Sequence, residues 1–300
     1  MKWLKRLVLA VVTLAGLALA AFWMFAPGIV ERGRNAVAEH APYPVSDAAA
    51  ALHGRLTVGD WHADSLLWKR DLLARGDRGQ VDIPRLIEGG VALQVFTAVT
   101  KSPAGLNYDS NADDAFDNIT LLAFGQLWPI RTWQSIYQRA IYQAEKLQRF
   151  EAKSGGRLKI IRTRADLDNV LAARARGEVV VGGILGVEGL HPLEGKIANL
   201  QGLIEAGHRV FGLQHFFDNE LGGTAVALTA IFPWPADSGP ATFVDFPEKG
   251  LGIFAISAAM FGFIKLPGCL AIQIETNEFL DFGAQRLVIL RKRKLQIRLP

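Results

Sequence analysis

Cysteine is almost missing from this chain of 300 residues. The lone Cys269 allows no intrachain disulfide, and its surroundings are not those of a thiol nucleophile. No G-x-S-x-G elbow is present, so serine and cysteine hydrolase chemistry both lack their signatures. Excess positive charge is missing from the body of the chain. The net charge is +4, but the first six residues contribute +3 and the last ten +5, which leaves −4 for residues 7 to 290. A nucleic-acid surface therefore has no support there, and the basic end Arg291-Lys-Arg-Lys294 reads as a solvated terminus. Gly250-Leu-Gly-Ile-Phe-Ala255 fits G-x-G-x-x-A, yet the preceding Asp245-Phe-Pro-Glu-Lys249 is a poor strand, so a dinucleotide fold is not supported.

Charge is also missing from one long run near the start. Leu7 to Ala26 holds twenty residues without a charged side chain, enough to cross a hydrocarbon core of about 30 Å. Ala18-Leu-Ala20 has the form of a signal-peptidase site, but the apolar run continues through Phe22-Trp-Met-Phe25 and stops at Pro27-Gly28, which favours a retained anchor. Lys2, Lys5 and Arg6 precede it, so the expectation is a single-pass protein with its N-terminus cytoplasmic and the rest extracytoplasmic. Half of the residues are hydrophobic, which suits one core behind that anchor. The expected layout is an anchor over 1–30, a connector over 31–55, an α/β portion over 56–223 and a divergent tail over 224–300.

What is present is a set of acidic and histidine residues at the ends of apolar runs. His62 and Asp64 close the run Leu56-Thr-Val-Gly-Asp-Trp-His-Ala-Asp64; side chains at i and i+2 of a strand point the same way, so an imidazole and a carboxylate converge there as metal ligands do. Val179-Val-Val-Gly-Gly-Ile-Leu-Gly-Val-Glu188 reads as a strand buried on both faces that ends in a carboxylate. Arg209-Val-Phe-Gly-Leu-Gln-His215 ends in another histidine, and Val91 to Thr97 is a further strand of this kind. Such residues at successive strand ends fit the C-terminal face of a parallel barrel. Elsewhere, His40 and His53 fall in the connector and read as solvent-facing. His191 falls in a loop beside the site, and His208 at the opposite end of its strand from the mouth. The stretch from Ala112 to Phe150 reads as helix packed on the barrel.

Asp60-Trp-His-Ala-Asp64, Gly186-Val-Glu-Gly189 with Leu193 and Asn199-Leu200, and Leu213-Gln-His215 with Asn219 resemble, in order, the membrane (renal-type) dipeptidases of peptidase family M19 over about residues 53–223. The resemblance implies a TIM-barrel-like α/β metallo-dependent hydrolase that cleaves dipeptides. It implies that His62 and Asp64 bind one zinc, that Glu188 bridges two, and that His215 contacts the substrate or its developing oxyanion. Neutral imidazole and carboxylate suit zinc, which lowers the pKa of water enough to supply a nucleophile at neutral pH.

The likeness stops after Gly223. The family completes its second zinc with two later histidines, whereas the six histidines here end at His215. Asp237, Asp245 and Asp281 lie in unrelated contexts. Only 85 residues follow His215, too few for four further βα units of roughly 30 residues each. Expected, then, are an incomplete barrel with a replaced tail and at most one firmly held zinc. Activity is expected to be weak, the alternative being an inactive member retained as a membrane-anchored binding protein.

Overall fold

The first helix grows from a run of good helix formers. From Leu7 onward the chain is Leu-, Val- and Ala-rich, and in the computed structural model α1 runs unbroken from Lys2 to Arg34. The helix therefore continues past Pro27-Gly28, where the apolar run was expected to stop, and overlaps the first residues of the expected connector. The structure describes residues 2–106 and 114–217, with Asn219, Leu221 and the backbone of 254–255 and 271–272. The connector also contains a second helix, α2 (Asp47–His53), capped by the Ser46 side chain. His53 at its end is exposed, and its Nε2 lies 2.9 Å from the carbonyl oxygen of Gly89.

Behind these helices the fold is α/β with a parallel sheet. The order is β1 (Val58–Ala63), α3 (Ile83–Glu88), β2 (Val91–Val99), α4 (Asn118–Gly125), α5 (Arg131–Gln134), α6 (Ile136–Lys153), β3 (Leu158–Ile160), α7 (Arg164–Ala175), β4 (Val181–Glu188), α8 (Ala198–Glu205) and β5 (His208–Phe211). Two further two-residue strands, β6 (Phe254–Ala255) and β7 (Ala271–Ile272), pair with each other. All neighbouring strands are parallel, as βα crossovers require. This is the barrel-type succession expected, and among the described residues the sheet is not closed. The other expectations for the tail, including the glycine-rich segment at Gly250, fall outside the described residues.

β4 is the organising strand. It pairs with β2 along Gly182 to Glu188, while its opposite edge is shared: β3 takes Val181 to Gly183 and β5 takes Leu185 to Val187. Such sharing needs close approach. A Cβ on Gly182 would come within 2.6 Å of Ile161 Cδ1 and 2.9 Å of Leu93 Cδ2, so a larger residue there would crowd both neighbours. One core cluster on the sheet joins Phe96, Leu185, Leu158 and Val181 to Leu147 of α6, and another joins Val95, Ile184 and Val210 to Val170 of α7.

The long excursion between β2 and β3 is tied down by polar groups. Buried Arg139 of α6 pairs with Asp117 at 2.5 Å and donates to the carbonyls of Thr100 and Thr132 at 2.8 Å. A buried charge with this many partners holds its elements in one arrangement. Lys146, about two turns further along the same face of α6, donates to the carbonyls of Leu66 and Trp68 in the turn that follows Asp64. Burial lowers the Lys146 ammonium to about 7.

Candidate metal centre

β1 ends one residue before Asp64, and its pairing with β2 is irregular between Asp60 and Ala63. The Asp60 carboxylate accepts from the His62 backbone N–H at 3.2 Å and steadies this irregular end. There His62 Nε2 comes to 3.3 Å from Asp64 Oδ1, the convergence expected of an i, i+2 pair. β4 delivers Glu188 from the adjacent strand end but one, with its Oε1 also 3.3 Å from His62 Nε2. The ligand atoms of His62, Asp64 and Glu188 all lie within 4.8 Å of one another.

His215 reaches the same place by another route. β5 ends at Phe211, four residues short of the expected end at His215, so this histidine lies in the following loop rather than on the strand. The loop stays beside β4 because Gly212 N–H donates to Val187 O at 2.9 Å and Leu190 N–H to Leu213 O at 3.2 Å. His215 Nε2 then sits 3.0 Å from Glu188 Oε1. Gly189 makes room for this approach. It adopts φ +76°, and a Cβ there would stand 3.0 Å from His215 Cβ and 2.9 Å from His191 Cδ2.

Glu188 is thus a carboxylate between two imidazoles. Burial alone raises its pKa, but hydrogen bonds from His215 and His62 outweigh that and hold it at about 2. Hydrogen bonds to Asp64 and Glu188 raise His62 to about 10. In this arrangement His62 carries a proton between two anions. One imidazole nitrogen and two carboxylates around one point are the donors that zinc accepts, and a cation there takes the place of that proton.

Two neighbours were not anticipated, Thr97 and Lys101, and a third, His191, is more deeply placed than expected. Thr97, near the end of β2, donates its hydroxyl to Asp64 Oδ1 and so orients that carboxylate. Its signal was a polar residue in a largely apolar strand, one that Gln94 of the same strand also carries. Lys101 lies 3.8 Å over the ring of Phe217, beside the same mouth. His191, expected in a loop by the site, is buried, with its ring edge-on to Phe217 at 6.2 Å. Its pKa falls to about 4, first through burial and then through Lys101 and His215. His208 is at the start of β5, fully buried, between the carbonyls of Gly186 and Ala140.

The profile of Membrane dipeptidase (Peptidase family M19) matches residues 46–233, well over half of the chain. The chain belongs to the M19 membrane dipeptidase family. Among solved structures it is similar to a metallopeptidase from Rhodobacter sphaeroides liganded with a phosphinate mimic of the dipeptide L-Ala-D-Ala. That match has 27% identity, covers 56% of this chain and 48% of the other, and has a TM-score of 0.40. It is also similar to the family M19 dipeptidase AC, at 23% identity over 58% of this chain and 52% of the other, with a TM-score of 0.37. A third, the probable dipeptidase PvdM from Pseudomonas aeruginosa, is 12% identical over 59% and 39%, with a TM-score of 0.42. The chain spans about half the length of the first of these solved structures. Comparison with curated proteins finds no match.

Proposed function

We propose that this M19 chain is a zinc-dependent dipeptidase held at a membrane by α1, with His62, Asp64 and Glu188 as metal ligands and His215 as the group that contacts the substrate. The observation that carries this reading is the convergence of His62 Nε2, Asp64 Oδ1 and Glu188 Oε1 at the ends of β1 and β4. Zinc at such a site supplies Lewis acidity and a nucleophilic water at neutral pH. His215, anchored on Glu188, can offer a hydrogen bond to negative charge developing on a dipeptide carbonyl oxygen. For the anchor, the support is that α1 is long and apolar enough to span a bilayer.

A second reading, a metal-binding member without turnover, is favoured by one observation. Within these 300 residues no histidine follows His215, so the histidines that complete a second zinc in the family have no counterpart. Metal analysis of the purified full chain, run beside hydrolysis of a dipeptide panel, tests both. The expected result is one zinc per chain, lost in His62→Ala, with slow hydrolysis that disappears in the same variant. Absence of bound zinc in the parent chain would overturn the metal assignment, and two zincs with rapid turnover would overturn the single-ion reading.

A further inference from the structure

The depth at which α1 meets the domain is fixed by side chains. Phe22 and Trp23 pack on Phe124 of α4, with ring centroids 6.1 and 5.6 Å apart, and Gly125 faces Phe22 and Pro27. No charged residue lies between Arg6 and Glu31, so these contacts fall inside the apolar run itself. At 1.5 Å per residue, Phe22 is only about 6 Å below Ala26, the last residue of the expected span. Beyond it the helix is clamped: buried Glu31 pairs with Arg78 at 2.8 Å and with Arg70 at 3.4 Å. A helix held at two levels cannot cross a bilayer while α4 stands clear of it.

We propose that the corner formed by α4 and the turn into α5 rests in the interface of the same bilayer that α1 crosses, with Leu121, Leu127 and Ile130 among the headgroups and upper acyl chains. The inference rests on the reading of α1 as a span. Residues 118 to 130 contain no charged side chain, and Leu121, Leu127 and Ile130 are 55%, 54% and 76% exposed. Leu127 is moreover held at φ 55°, a left-handed conformation that leucine disfavours, which turns it outward beside Gly125. Apolar side chains grouped next to a transmembrane helix add interfacial burial to the anchor.

The occupant is anionic phospholipid. A cavity of about 480 Å³ bordered by Leu127 is lined by Lys69, Arg70, Lys146, Arg149 and Lys153, with Asp71 as the acidic side chain among them. Arg70 is paired with Glu31, Lys146 with backbone carbonyls and Arg149 with Glu145 at 3.9 Å, which leaves Lys69 and Lys153 as the cations to face lipid phosphates.

Nitroxide labels on the full chain test this, in vesicles of phosphatidylcholine and phosphatidylglycerol and on a Cys269→Ser background. The labels are Leu14→Cys in the span, Leu127→Cys and Ile130→Cys at the corner, and Asn169→Cys on exposed α7. Collision with oxygen relative to a water-soluble nickel complex should be several-fold higher at 14, 127 and 130 than at 169. If 14 is in lipid while 127 and 130 match 169, the docking is overturned and the span stands. If 14 also matches 169, both fall. In pure phosphatidylcholine the label at 127 should move outward; equal depth in both vesicles would overturn the assignment of anionic lipid.

Discussion

Thr97 is a test of whether neighbours of the ligands matter. Its hydroxyl fixes Asp64, and groups that orient a metal ligand are commonly worth about 10- to 100-fold in affinity. Thr97→Val keeps the shape and the strand propensity but removes the donor. Zinc competition titration should show affinity lower by about tenfold or more with thermal stability near that of the parent, and unchanged affinity would remove Thr97 from the site. His208 offers a second test. Its folded pKa of about 4 lies below the unfolded value of 6.5, so between those values the unfolded chain binds more protons and stability falls as the pH drops from 6.5 to 4. The expected loss from this group is on the order of 3 kcal/mol. In denaturant titrations His208→Gln should be weaker at pH 7 but decline less steeply below 6.5; a decline as steep as the parent's would sink the assignment. The convergence of His62, Asp64 and Glu188 was legible because they stand where apolar runs end. Thr97 and the buried state of His191 were not, because a hydroxyl inside a strand and a histidine after a glycine carry no spacing that separates site from packing.

At the scale of elements, the long apolar runs that became β2 and β4 were legible to within two residues at one end of each, since burial on both faces leaves a nearly continuous apolar pattern. β3 was not. Leu158–Ile160 is three residues with a lysine in the middle and exists because the edge of β4 accepts it. β5 was read too long for the related reason that backbone bonds from Gly212 and Leu190 keep the chain running beside β4 after regular pairing ends. The shared edge of β4 makes its glycines structural. Gly182→Ala should cost about 1–3 kcal/mol by overpacking against Ile161, Leu93 and Val170. Urea denaturation checks this, and a variant as stable as the parent would mean that the β3–β4–β2 layer has more slack than the distances allow.

For the molecule as a whole, α1 and the candidate metal centre belong to one body, because α1 is packed on α4 through Phe22 and Trp23 and clamped to Arg70 and Arg78 through Glu31. The apolar run made a helix long enough to cross a bilayer legible, but not this docking, which depends on residues about a hundred and about fifty positions away. Which side of the membrane the site faces then follows from the flanks of α1. Lys2, Lys5 and Arg6 stand before the apolar run, against Arg32 and Arg34 after it, and the acidic Glu31 counts for little. Three positive charges before the apolar run favour retention of that flank in the cytoplasm, so on the reading of α1 as a span His62, Asp64 and Glu188 should lie outside. An epitope placed after Pro300 should be removed by protease added to intact cells, and a tag placed before Met1 should survive until the membrane is opened. The reverse pattern would put the metal centre in the cytoplasm, where it would meet a different pool of peptides and of zinc.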